Sequence, residues 1–124
     1  MRLALVIAGG GLGSAARYLA GIWMIEHAGS AFPWGTLSVN VVGSFLIGLL
    51  ATLADESGWF GPDTRLFLVA GVLGGFTTFS AFSFETWRLL DQGEPARSIL
   101  YVGSSVGLGL AAALAGVAMA RALA

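Results

Sequence analysis

The 124-residue chain has no cysteine, no lysine, a single histidine (His27) and three prolines. Without cysteine there is no disulfide framework, no thiol nucleophile and no thiolate metal site. One histidine cannot form a histidine cluster, so the usual metal and acid–base constellations are not supplied and an enzyme is excluded as the main reading. Charge is scarce as well: 10% of the residues are charged, against about 25% in a soluble domain. A net charge of −1 and six scattered arginines deny the basic patch that nucleic acid demands. What remains is apolar, with 56% hydrophobic residues and a mean hydropathy of +0.84. So little polar surface cannot coat a globule. The composition describes an integral membrane protein, and the length allows one transmembrane domain, 1–124, with no second unit.

Four apolar stretches are separated by short polar turns, and they predict helices over about 3–25, 34–54, 66–90 and 98–120. The first begins like a secretory signal, with Arg2, an apolar run and Gly13-Ser14-Ala15-Ala16. Its apolar pattern nevertheless continues past Arg17 to Ile25, giving about 23 residues, enough at 1.5 Å each to cross a core of about 30 Å. It is a retained span. Four helices with short loops favour an up-down-up-down bundle. Trp23, Trp34, Trp59 and Trp87 fall at predicted span ends or in a loop, where indole prefers the membrane interface.

Charge hardly orients such a protein. The side with both termini and the second loop offers Arg2, Arg65 and Arg121, and the other offers Arg88 and Arg97. Three against two gives the positive-inside rule little to act on. Either the chain inserts both ways, so that opposed copies can pair, or a single extra arginine orients it. Small-residue faces mark close helix contacts: Gly9-xxx-Gly13, Ser44-xxx-Gly48, Gly103-xxx-Gly107 and Ala112-xxx-Gly116. They fit packing within one subunit as well as between two.

The third stretch is the unusual one. Gly74-Gly75-Phe76-Thr77-Thr78-Phe79-Ser80-Ala81-Phe82-Ser83-Phe84-Glu85 crowds glycines, hydroxyls and a carboxylate into an apolar run. Irregular backbone at membrane depth is tolerated only where protein buries it or a pathway uses it. A break over 74–78 is predicted, with the helix resuming through Glu85. Phe76, Phe79 and Phe82 recur every third residue, which is ordinarily a packing stripe. Their ring edges, being positive, can also favour an anion without trapping it. Carbonyls freed at Gly74-Gly75 would suit a hard cation such as Na⁺.

Asn40, Arg17 and Glu85 lie within the spans and carry amide or charged groups that must be accounted for. Asn40 must face protein or water, either as an interhelical hydrogen bond or as a donor to an anion. Arg17 can snorkel, anchor a cluster or attract an anion to a vestibule. Glu85 fits a proton site, a vestibule or a partner for Arg88.

With these residues in place, the chain resembles the Fluc-type (CrcB) fluoride channels along essentially its whole length. The resemblance rests on Gly10-Gly11-x-Gly13-x-x-x-Arg17-Tyr18, on Gly35-Thr36-Leu37-x-Val39-Asn40-x-x-Gly43-Ser44-Phe45, and on the third-stretch sequence from Gly74 to Ser83. It implies an all-α membrane protein with four transmembrane helices per subunit. The third would be broken at mid-membrane, and the subunits would form an antiparallel, dual-topology homodimer in the plasma (inner) membrane. Two fluoride pores would lie at the interface and carry fluoride out passively. Asn40, Phe79 and Phe82 would line the pore, with Ser80 and Tyr101 as polar lining and Arg17 and Glu85 at vestibules. The backbone carbonyls of Gly74 and Thr77 would hold a structural Na⁺. Ala81 stands where the family usually has threonine, and Gly109 leaves no hydroxyl where one is expected on the fourth span, so the polar track is thinner than usual. A small multidrug transporter is the main rival, but it needs a carboxylate within its first span, and none precedes Glu26. A non-transporting assembly subunit gives no reason for the interrupted third span.

Overall fold

A computed structural model describes all residues, Met1–Ala124. Four helices are long and apolar enough to cross a membrane: Arg2–Ala28, Trp34–Ser57, Pro62–Asp91 and Pro95–Leu123. Each runs beyond the stretch that hydropathy alone predicts. The extensions carry charge, with Glu26 on the first, Asp55 and Glu56 on the second, Asp63 and Arg65 on the third, and Arg97 and Arg121 on the fourth. Charged residues keep helical geometry once the helix reaches the headgroup region, so hydropathy underestimates the ends. Prolines open the third and fourth spans at their first helical position, where no amide partner is lost. Gly58 ends the second span in the left-handed conformation (φ 63°, ψ 26°), a geometry that costs glycine least.

Two stretches wind as π-helix, Leu53–Ser57 at the end of the second span and Leu66–Leu73 in the third. The third span is then interrupted after Gly74–Phe76 and resumes as Phe79–Asp91.

The helices meet through glycine. The second and fourth spans interlock where Gly48 faces the Ala113 carbonyl and Gly116 faces the Phe45 carbonyl. The first span packs on the entering part of the third: Gly9 lies against Phe67 and Gly71, Gly13 against Val72 and Phe76, and Gly75 against Gly10 and Ser14. A Cβ at any of these positions would strike backbone, so glycine sets the interaxial distance. Gly103 and Gly107, by contrast, face open space.

Only 15 of 124 residues are buried, while leucines, isoleucines and all four tryptophans lie exposed. Such a surface is covered by lipid or by protein, not by water. The largest buried side chain is Tyr101, fully enclosed with Leu37 and Leu89 and packed by Phe32, Val41 and Phe82. At the end bearing the termini, Arg65 binds Asp55 through two hydrogen bonds (2.8 and 3.1 Å) and Arg121 binds Glu56 through two (3.2 Å each). Arg2 lies 3.9 Å from Asp63. These exposed pairs pin spans at one end, although each contributes little in a solvated setting.

Candidate functional site

The interruption in the third span falls on two threonines. Thr77 (φ −86°, ψ 155°) and Thr78 (φ −150°, ψ 118°) are extended, whereas Gly74–Phe76 remain helical. The predicted break over 74–78 is therefore shorter, and its glycines serve another purpose. Gly75 lets the Gly10 backbone approach, while the β-branched threonines accept the extended conformation readily.

Side chains take up the backbone groups that the break leaves without helical partners. Thr77 closes the last turn, its amide and its hydroxyl both donating to Leu73 O at 3.0 and 2.9 Å. The Thr78 amide would normally return to Gly74 O. Instead it donates to Asn40 Oδ1 at 2.8 Å, and Asn40 Nδ2 donates to Thr78 O at 3.0 Å. Arg17 Nε donates to Gly75 O at 3.1 Å. Thr78 Oγ1 accepts from the Ala81 amide at 3.2 Å and so caps the resumed helix. The Thr77 carbonyl accepts no hydrogen bond. The result is a held break, with the positive end of the resumed helix directed at mid-span.

A groove of about 380 Å³ opens beside it, bounded by Asn40, Gly43 and Ser44 of the second span, by Gly74, Thr77, Thr78, Phe79 and Phe82 of the third, and by Ser105 and Val106 of the fourth. Five of the residues singled out by sequence thus share one site: Asn40, Phe79, Phe82, Gly74 and Thr77. Phe79 is 77% exposed. Its ring lies 5.7 Å from that of Phe82, which lies 5.2 Å from Tyr101. Phe76, on the other side of the break, lines a separate apolar cleft with Trp23 and Val42.

The other predicted residues sit around this groove, not on it. Ser80 is exposed, with its hydroxyl 3.4 Å from Thr78 Oγ1. Tyr101 is buried behind Phe82 and donates its hydroxyl to Glu85 Oε1 at 3.1 Å. Glu85 therefore pairs with Tyr101 and not with Arg88, whose guanidinium lies over the Phe84 ring, 4.9 Å from its centroid. Glu85 lines a second cavity of about 340 Å³ with Thr36, Arg88 and Gln92. Arg17 lines a third, about 330 Å³, with Ser14, Thr36, Thr78 and Ala81. Thr78 borders both the groove and the Arg17 cavity, and Thr36 borders both outer cavities. Polar surface thus runs in steps from mid-span toward the end that carries the first loop.

Sequence reasoning placed Thr78 within the break without a site role of its own, and assigned no role to Ser105. Ser105 Oγ is buried and has no hydrogen-bond partner. Its spacing gave a signal, since it lies four residues after Tyr101 and so on the same helix face. No group of three or more His, Cys, Asp or Glu side chains comes together anywhere in the fold. The site can offer hydroxyl and amide donors, ring edges and neutral carbonyl oxygens. It has no acid–base pair to run a reaction.

Residues 4–117 match the family described as CrcB-like protein, Camphor Resistance (CrcB). The chain is 54% identical over 119 residues to a protein of Rhizobium meliloti named fluoride-specific ion channel FluC, an alignment that covers 96% of this chain and 95% of that one. Proteins with the same name from Agrobacterium fabrum and Thermus thermophilus are each 50% identical, over 121 and 122 residues. Those alignments cover 98% of this chain in both cases, and 97% and 95% of the relatives.

Proposed function

This chain belongs to the CrcB-like family, and from that membership we propose that it is a fluoride-selective channel that exports fluoride passively and protects the cell from it. It is a multi-pass membrane protein and not an enzyme. The observation that carries the reading is the Thr77–Thr78 break, held by Asn40, with Phe79 and Phe82 beside it in an open groove.

Fluoride is small and tightly hydrated, so a path must replace water with several donors and still release the ion. Ring edges of Phe79 and Phe82 meet that demand without a fixed charge. Asn40 keeps one Nδ2 hydrogen beyond its bond to Thr78 O. The resumed helix, starting at Phe79, contributes the positive end of its dipole. Tyr101 and Glu85 continue the polar surface toward the second cavity, and Arg17 and Thr78 toward the third. Passive export protects a cell in acidic surroundings, because neutral HF enters and dissociates in the less acidic cytoplasm.

The groove faces outward in a single subunit, with Phe79 77% exposed along it. We therefore place a second, antiparallel copy against it, giving two pores per homodimer. A structural Na⁺ fits the donor set at the break. The Thr77 carbonyl is unpaired, the Thr78 amide has turned away from Gly74 O, and both residues line the groove. Neutral oxygens without a carboxylate suit a monovalent cation. Gly74 and Thr77 would hold the ion, and when bound it would supply a fixed positive potential beside the path.

The reading is tested in bacteria that lack their own fluoride exporter and stop growing in fluoride at acidic pH. Expression of this chain restores growth if the proposal is right. Membrane-inserted protein that leaves the cells as sensitive as before counts against it.

A further inference from the structure

The groove is also bordered by a serine to which the family resemblance assigns no role. Ser44 lies one helical turn after Asn40 on the second span, so both side chains project from one face, and both border the groove. On the fourth span Ser105 borders the groove, and Gly109, one turn further on and beyond the groove lining, has no side chain. The two spans are close there: a Cβ built on Gly109 would lie 3.6 Å from Ser44 Oγ. That is ordinary contact distance, so a small side chain at 109 would reach the place that the Ser44 hydroxyl now occupies.

Donor supply gives this juxtaposition a meaning. One of the two Asn40 Nδ2 hydrogens is committed to Thr78 O. Ser80 lies outside the groove beside Thr78 Oγ1, and Ala81 has no hydroxyl. On the fourth-span wall an ion leaving the Asn40 and Phe79 level would meet no exposed hydroxyl, because Ser105 Oγ is buried and Gly109 has none. We propose that Ser44 is a fluoride-coordinating residue of this chain. On this view the second span supplies the hydroxyl that the fourth span lacks at Gly109, and the donor ladder runs along that span from Asn40 to Ser44. Ile47, which also borders the groove, marks where that ladder ends.

The inference rests on the reading of the groove as a fluoride path, and the experiment separates the two. Purified wild type, Ser44→Ala, Gly109→Ser and the double variant are reconstituted in fluoride-loaded liposomes, and efflux is followed with a fluoride electrode. Size exclusion in detergent reports the assembly of each protein. Wild type that releases no fluoride defeats the channel reading itself. If wild type conducts, Ser44→Ala is expected to lower efflux about tenfold, the scale of one lost hydrogen bond. Gly109→Ser alone should stay near wild type. The double variant should recover to within about threefold of wild type, because its hydroxyl returns to the same place from the other wall. A purely structural Ser44 would not be rescued by a hydroxyl on another helix. Efflux from Ser44→Ala equal to wild type overturns the inference, and so does a double variant as slow as Ser44→Ala with its assembly intact. Should Ser44→Ala fail to assemble, Ser44→Cys, nearly the same size with a much weaker donor, takes its place under the same expectations.

Discussion

Asn40 shows how two readings left open by sequence can meet in one side chain. An amide inside a span must be satisfied, and the sequence left it either a bond between helices or a donor to an anion. In the fold it first clamps Thr78, accepting from its amide and donating to its carbonyl, and it has one hydrogen left to offer. Asn40→Ala strands both backbone groups, each at a cost of about 1–3 kcal/mol when buried. The variant should melt earlier in detergent as well as lose fluoride flux. A variant that loses flux at wild-type thermal stability would show the clamp to be dispensable. The phenylalanines behave differently, since no backbone depends on them. Phe79→Ile and Phe82→Ile keep apolar volume and remove the ring edge. Both are expected to suppress flux while the protein still elutes as wild type. Wild-type flux in both variants would return these side chains to packing.

At the scale of elements, the spans were legible because hydropathy is an average over many residues, and single exceptions do not move it. Their ends were not, because Asp55, Glu56 and Arg65 remain helical after the apolar signal stops. The break was legible as a neighbourhood, and it is shorter than predicted, falling on Thr77 and Thr78 within 74–78. Glycines mark both permissive backbone and close approach, and sequence does not distinguish the two. At Gly75 close approach decides, since Gly10 and Ser14 occupy the space a side chain would need. The same distinction separates glycines that look alike. Gly13 sits against the Val72 carbonyl, whereas Gly11 faces nothing within 4 Å. Gly13→Ala should therefore destabilise by about 1–3 kcal/mol, the usual cost of overpacking. Gly11→Ala should be neutral, or stabilising by up to about 1 kcal/mol through helix propensity. Thermal melts of the two purified variants decide the matter, and equal melting temperatures would contradict the packing described here.

For the whole molecule, the single chain carries a half-open groove and an end-to-end charge balance that hardly orients it. Arg2, Arg65 and Arg121 lie at one end against Arg88 and Arg97 at the other, and the three at the first end are matched by Asp63, Asp55 and Glu56. Sequence could count these charges but could not show that they are paired, because Arg121 and Glu56 lie on different spans. If function needs two opposed copies, forcing one orientation should abolish it. Asp91→Arg, Gln92→Arg and Glu94→Arg together with Arg2→Gln would give the second end five arginines against two and fix that end on the cytoplasmic side. Alone, this variant should give no fluoride resistance. Coexpressed with a copy biased the other way by Asp63→Arg and Thr64→Arg, it should recover resistance. Full resistance from the first variant alone would rule out an antiparallel requirement.

The central claim is that fluoride passes at the Thr77–Thr78 break through the groove that Phe79 and Phe82 border. The most direct measurement compares fluoride and chloride discharge from liposomes holding wild-type protein with discharge from liposomes holding Phe82→Ile. The prediction is rapid fluoride release with little chloride from wild type, and neither ion from the variant. Chloride released as readily as fluoride, or fluoride released equally by both proteins, would contradict it.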